Sequence, residues 1–243
     1  NIKKKMKVPS ISELRKYCTR SDDELIGLRI FRYFSVFPLK LLLYTPITPN
    51  MLSVLWLLTG LVAVFLFSKG NYTYTLIGAL LYQFAVFVDQ LDGPVARFKK
   101  MTNLGGDYLD KFTSYLHRTL MFLAIGIGSY NYTKELIYLY AGIIASLFSI
   151  LAIFMKLTEY QVLLTNNRFD KLKKESQKIF KRKSFVKEYI LEFFRPSTPI
   201  TNAILVAAIF NLTHYSVIIY AVLSVLLYIN VSLESYKRMK RLC

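Results

Sequence analysis

Six long apolar runs, at about 51–67, 74–88, 112–130, 136–157, 200–212 and 216–231, fill most of the chain beyond its N-terminal segment. A helix needs roughly 20 apolar residues to cross the hydrocarbon of a bilayer, and most of these runs approach that length. The expected fold is therefore an all-α membrane protein with six transmembrane helices. Composition agrees: 243 residues that are 54% hydrophobic, with a mean hydropathy of +0.36, hold too many apolar side chains for one soluble core. The fifth run is the shortest and holds Asn202 and Asn211, which local bilayer thinning or burial against neighbours would accommodate.

The net charge of +17 reports topology. Lys and Arg concentrate before the first run, in the loop Arg97, Lys99, Lys100, between Arg168 and Arg195, and in the tail Lys237, Arg238, Lys240, Arg241. The loops at 68–72, 131–135 and 211–214 carry almost none. Cytoplasmic loops collect Lys and Arg, so both termini are expected inside, with the basic face favouring anionic lipid headgroups. No base-reading module accompanies the charge, so no nucleic-acid partner is expected. Cys18 and Cys243 both fall on the cytoplasmic side, where a disulfide is not expected. The charged start leads into polar sequence instead of a short apolar stretch, so insertion is expected to use the first span and no cleaved leader. Asn-x-Thr triplets at Asn71, Asn131 and Asn211 lie in the expected outer loops, close to the membrane, and read as chance occurrences.

The chain divides into a cytoplasmic or interfacial segment over 1–46 and a six-helix transmembrane domain over 47–243, with a basic cytoplasmic connection at about 160–197. Within the first segment Leu25, Leu28, Phe31, Phe34, Leu39, Leu42 and Leu43 recur at helical spacing, with Arg29, Arg32 and Lys40 between them and Pro38 breaking the run. That pattern fits an amphipathic helix lying in the membrane interface, or a solvated cap packed on the bundle. Thr48-Pro49-Asn50 supplies start signals for the first span, and Ser197-Thr198-Pro199 echoes them at the fifth.

Asp89, Asp92, Gly93, Ala96, Arg97 and then Asp110 interrupt the apolar pattern. A carboxylate at a helix centre in hydrocarbon costs on the order of 3 kcal/mol, so acids clustered at the end of a span imply a partner. Asp89 and Asp92, three apart, are neighbours on one helical face, and Asp110 opens the next helix at the same cytoplasmic mouth. Gly93 leaves room for a backbone or flat ligand, Pro94 is expected to kink or restart the helix, and Gly105-Gly106 to supply a turn just before the third helix. Carboxylates from two helices suit Mg²⁺ or Mn²⁺, and the absence of His and Cys from the cluster disfavours zinc.

This segment resembles the signature of the CDP-alcohol phosphotransferase (CDP-alcohol phosphatidyltransferase) family of six-helix membrane enzymes: D-x-x-D-G-x-x-A-R, eight residues, then G-x-x-x-D-x-x-x-D. Asp89, Asp92, Gly93, Ala96, Arg97, Gly106 and Asp110 match in identity and spacing, and Thr48-Pro49-Asn50 resembles the family's start of its first span. The resemblance implies that 47–243 is a catalytic domain in which an alcohol attacks the β-phosphorus of a CDP-linked donor, CMP leaves and a phosphodiester forms, as in phospholipid biosynthesis. It implies one or two Mg²⁺ or Mn²⁺ ions on Asp89, Asp92 and Asp110. Gly93, Ala96 and Arg97 would border the nucleotide, with Thr102 and Asn103 as further hydrogen-bonding candidates. It also implies at least one lipid substrate and a homodimer. The expected location is a prokaryotic cell membrane, with termini and active site cytoplasmic.

One position departs. Where the family places its last Asp, taken as general base and ligand of a second metal, this chain has Ser114. Asp107, Asp110, Ser114 and His117 fall within one broad helical face by the 3.6-residue period. His117 could take the proton, and Asp107 could supply a carboxylate one turn earlier, although a lone His in a membrane helix is more often a satisfied polar contact. Arg118, costly within a span, could bind a substrate phosphate or carboxylate or pair with a structural acid. Lys156 and Arg195 are further acceptor-binding candidates, against the alternative that charges at span ends snorkel. Ser114 leaves open a catalytically impaired member that still binds donor and metal. A cation transporter is a third reading, which predicts acids near the bilayer middle and broken helices in both halves.

Overall fold

The structure, a computed structural model, describes residues 10, 11, 13, 14, 26–166, 168 and 198–242. Its elements are all helical: α1 (Ile26–Leu43), α2 (Pro49–Phe67), α3 (Tyr72–Lys99), α4 (Leu104–Thr133), α5 (Leu136–Thr165), α6 (Thr198–Ile209) and α7 (Thr213–Leu242). By length and composition α2, α3, α5 and α7 are each able to cross a membrane, and α6 contains the shorter apolar helix Ile200–Ile209. The helix α4 is as long as α5, but its first half carries Asp107, Asp110, Lys111, His117 and Arg118. Cys18, Cys243, Arg195 and nearly all of the basic connection beyond Arg168 lie outside the described residues.

Two local expectations are corrected. The helix α1 runs through Pro38, where a break is expected; of the two expectations for Pro94, a kink or a restart, only the restart is excluded, since α3 continues through it. An interior proline removes one hydrogen bond and crowds the carbonyl one turn back, at about 3 kcal/mol, so packing must hold the helix together. Val36, Leu39 and Leu43 are buried around Pro38, and Val95 is fully buried beside Pro94. The second correction is at α4, which begins at Leu104, so Gly105 and Gly106 lie inside its first turn and not ahead of it.

The chain forms two compact units, residues 1–63 with 80–114, and 64–79 with 115–243. In the first, Leu14, Val36, Leu39 and Leu43 pack with Leu52 and Trp56 of α2 and with Ala85, Val88, Leu91 and Val95 of α3. Close van der Waals packing in this cluster holds α2 against α3, because lipid supplies no hydrophobic force between two spanning helices. Phe37, Leu41 and Tyr44 project from the other side of α1 and its C-terminal end, 54 to 70% exposed.

In the second unit α4 and α5 cross at two glycines. A Cβ built on Gly126 would stand 2.6 Å from the Cα of Gly142, and the converse holds. Only hydrogen at both positions permits that approach. The loops of this unit are tied by its Asn-x-Thr asparagines. Asn71 Oδ1 accepts from the Thr73 N–H at 2.9 Å, Asn131 Nδ2 donates to the Ser68 carbonyl at 2.8 Å, and Asn211 Nδ2 donates to the Tyr132 hydroxyl at 3.0 Å. These side chains do structural work as turn and loop clasps. At the other ends of α5 and α7, the Glu159 carboxylate, 6% exposed, receives Arg238, Ser235 and Lys156.

Candidate active site

The acidic cluster lies wholly within the first unit. Asp89 and Asp92 come from the second half of α3 and Asp110 from the second turn of α4, each half-buried. One carboxylate oxygen of each lies within 4.8 Å of the others. Asp89 and Asp110 are within hydrogen-bonding reach of each other. Two full negative charges at that separation repel by about 4–5 kcal/mol at an effective dielectric of about 20. The arrangement costs free energy by itself, and a cation among the oxygens reverses the sign.

Two helix ends bring the acids together. The chain leaves α3 through Lys100 in the left-handed region, φ 55°, while the Met101 N–H returns to the Ala96 carbonyl at 2.9 Å. This is the usual closure of a helix C-terminus, achieved without glycine. Asn103 then caps α4: its Oδ1 accepts from the Gly106 N–H at 2.7 Å, satisfying one of the free donors of the first turn. Lys99 fixes the chain entering α2, with Nζ donating to the carbonyls of Thr45 at 2.9 Å and Ile47 at 2.7 Å.

From α2, Ser53 Oγ donates to Asp92 Oδ2 at 3.0 Å. Asn50 stands over the start of α4, where a Cβ on Gly106 would come 3.2 Å from its Oδ1. A Cβ on Gly93 would meet only Arg97 Nη1 at 3.5 Å, so the α3 backbone beside Asp92 is open on that side. Ala96 is half-buried, whereas Arg97, Thr102 and Asn103 are exposed.

The proposed base and acceptor positions distribute differently. Asp107 is exposed and Ser114 half-buried, both within the first unit. His117 and Arg118 are 1% and 9% exposed and belong to the second unit. Lys156 also lies there, and its ammonium is engaged by Glu159 at 3.2 Å. Ser53 and Glu159 were not singled out from sequence. Nothing separates Ser53 from the other hydroxyls of apolar runs. Glu159 did carry a signal, as the lone acid at the end of the fourth run with basic residues in the tail available to neutralise it.

A comparison with curated proteins finds no match. The family model described as CDP-alcohol phosphatidyltransferase matches residues 46–233, from just ahead of α2 into α7. That span contains the whole acidic cluster and most of the chain, which therefore belongs to the CDP-alcohol phosphatidyltransferase family, whose chemistry is phosphotransfer from a CDP-alcohol in phospholipid synthesis.

Proposed function

We propose that this chain moves a substituted phosphate from a CDP-linked donor to an alcohol acceptor, releasing CMP, with a lipid as at least one substrate. The carrying observation is the meeting of Asp89, Asp92 and Asp110 within 4.8 Å. Their all-oxygen donor set fits Mg²⁺ or Mn²⁺, one ion or two. When bound, such an ion neutralises charge on the donor's diphosphate, which with positioning is most of what phosphoryl-type transfer requires. Gly93 leaves the α3 backbone open to the nucleotide, Ala96 keeps that face low, and Arg97 places a guanidinium at the rim for a phosphate. Thr102 and the amide of Asn103 border the same turn. The acceptor hydroxyl loses its proton as its oxygen bonds to the β-phosphorus and the bond to CMP breaks. His117 takes that proton, with Asp107 supplying a carboxylate one turn before Asp110 and Ser114 standing where the family places its last Asp. Arg118, Lys156 and Arg195 remain acceptor-side candidates, with Lys156 having to leave Glu159 to serve.

In the membrane, α2 to α7 make the six crossings, with α6 spanning about 18 Å at 1.5 Å per residue. The exposed apolar side chains Phe37 and Leu41 of α1 face the interfacial layer. Both termini and the acidic cluster face the cytoplasm of a prokaryotic cell, and the protein is a homodimer.

CMP release is the direct test. Purified protein is offered CDP-diacylglycerol, or CDP-choline with diacylglycerol, against a panel of alcohols with Mn²⁺, and products are identified by mass spectrometry. Turnover lost in Asp89→Asn supports the reading. Ser114 favours one alternative, a member that holds donor and metal without reacting. Binding of a CDP-alcohol with no CMP from any pair in wild type would establish that alternative.

A further inference from the structure

We infer that Ser53 is a positioning residue for the metal-binding carboxylates, aiming Asp92 toward the ion through a buried hydroxyl on α2. The inference rests on the metal-dependent reading above.

Ser53 is 3% exposed, so its hydroxyl proton must be given to a protein acceptor. Two lie in range: the Pro49 carbonyl at 3.3 Å and Asp92 Oδ2 at 3.0 Å. In an α-helix the Pro49 carbonyl already serves the Ser53 N–H. The carboxylate is the nearer and stronger acceptor, because hydrogen bonds to ionised groups are the shorter and stronger ones. The single proton therefore belongs to Asp92.

A neutral donor here has a different effect from a cation. Arg or Lys against Oδ2 would cancel the charge that a metal needs, whereas a hydroxyl fixes the rotation of the carboxylate and leaves its charge in place. Of the nearby basic residues, Lys99 has its ammonium on the Thr45 and Ile47 carbonyls, while Arg97 acts on Asp92 through its charge, so the hydroxyl of Ser53 and not a lysine is what fixes Oδ2 from the α2 side. Those two bonds, the Ser53–Asp92 bond and the packing of Leu52 and Trp56 in a core shared with Val88, Leu91 and Val95 lock α2 and α3 in one register. Outer partners of this kind orient metal ligands, and their removal typically weakens metal binding by about 10- to 100-fold.

The test titrates Mn²⁺ into the purified full chain, counting free ion by electron paramagnetic resonance, and in parallel follows CMP release against Mn²⁺ concentration. Ser53→Ala should raise the Mn²⁺ Kd by about 10-fold or more, while turnover at saturating Mn²⁺ returns to within about twofold of wild type. Ser53→Thr, which restores the hydroxyl, should bind Mn²⁺ within about threefold of wild type. A purely structural serine would lower turnover at every Mn²⁺ concentration, and that result overturns the inference. So does an unchanged Kd in Ser53→Ala while wild type binds Mn²⁺ normally. Wild type that binds no Mn²⁺ instead removes the metal-dependent reading itself, and the role of Ser53 with it. If Ser53→Ala does not fold, Ser53→Cys, similar in size but a weak donor, takes its place: a weaker Mn²⁺ Kd supports the inference and an unchanged one overturns it.

Discussion

Removing the Glu159 carboxylate should destabilise the second unit by about 2–3 kcal/mol, and the geometry explains the figure. Glu159 receives Arg238 Nε at 2.6 Å and Nη2 at 3.0 Å, Ser235 Oγ at 2.6 Å and Lys156 Nζ at 3.2 Å. Deleting one partner of a buried ion pair costs about 3–5 kcal/mol, because the other charge stays buried and uncompensated. Here the Arg238 and Lys156 side chains retain 22% and 37% exposure, so water recovers part of that loss. Glu159→Ala should therefore lie below the buried-pair range, and at about 2–4 °C per kcal/mol the unfolding midpoint in detergent should fall by about 5–10 °C. The double variant Glu159→Met with Arg238→Met should recover more than half of that fall, since it removes the more buried cation with its partner and leaves only Lys156, 37% exposed to water, without Glu159. A midpoint within about 1 °C of wild type for Glu159→Ala, or single effects that simply add in the double variant, would refute the reasoning.

Chelation by EDTA should abolish CMP release, and added Mn²⁺ should restore it in wild type but not in Asp89→Asn or Asp110→Asn; turnover that survives chelation would remove the metal from the reaction. Gly126→Ala places a methyl 2.6 Å from the Gly142 Cα, so α4 and α5 must separate, at about 1–3 kcal/mol. The thermal midpoint measures it, and no change would mean the crossing is looser than described. Asn103→Ala removes the α4 cap at about 1 kcal/mol, whereas Asn103→Asp keeps it. Faster hydrogen exchange at the Gly106 amide in the alanine variant alone is the expected signature, and equal exchange in both would refute it.

The apolar runs made the helices legible because lipid and packing both demand continuous hydrocarbon, a demand written in composition. The acidic trio was legible for the opposite reason: Asp89, Asp92 and Asp110 break that continuity, and helical period alone puts the first two on one face. Breakers were misread. Pro38 marks a helix end by local rule, yet it lies inside α1, because the local rule carries no term for the buried neighbours that hold the turns around it. Gly105-Gly106 was placed in a turn for the same reason, since the cap from Asn103 that starts the helix earlier depends on one side-chain rotamer. Partners distant in sequence were invisible. Ser53 and Asp92 are 39 residues apart and Glu159 and Arg238 are 79 apart, with no period to connect them.

The two buried or half-buried groups of acids show how environment divides one chemistry between two tasks. Glu159 is met by two cations and a hydroxyl, an arrangement that saturates the carboxylate and leaves nothing to offer an ion. Its value is in joining α5 to α7. Asp89, Asp92 and Asp110 are instead gathered with one another, and the contact to Asp92 from α2 is a neutral hydroxyl. Such a cluster raises the free energy of the empty protein and returns it when a cation binds, so the core of α1, α2 and α3 has to hold the acids together in the ion's absence. That requirement accounts for the local construction of the first unit: the Lys99 bonds to two carbonyls, the left-handed exit at Lys100 and the Asn103 cap each restrict one of the three chain segments that carry or support a carboxylate.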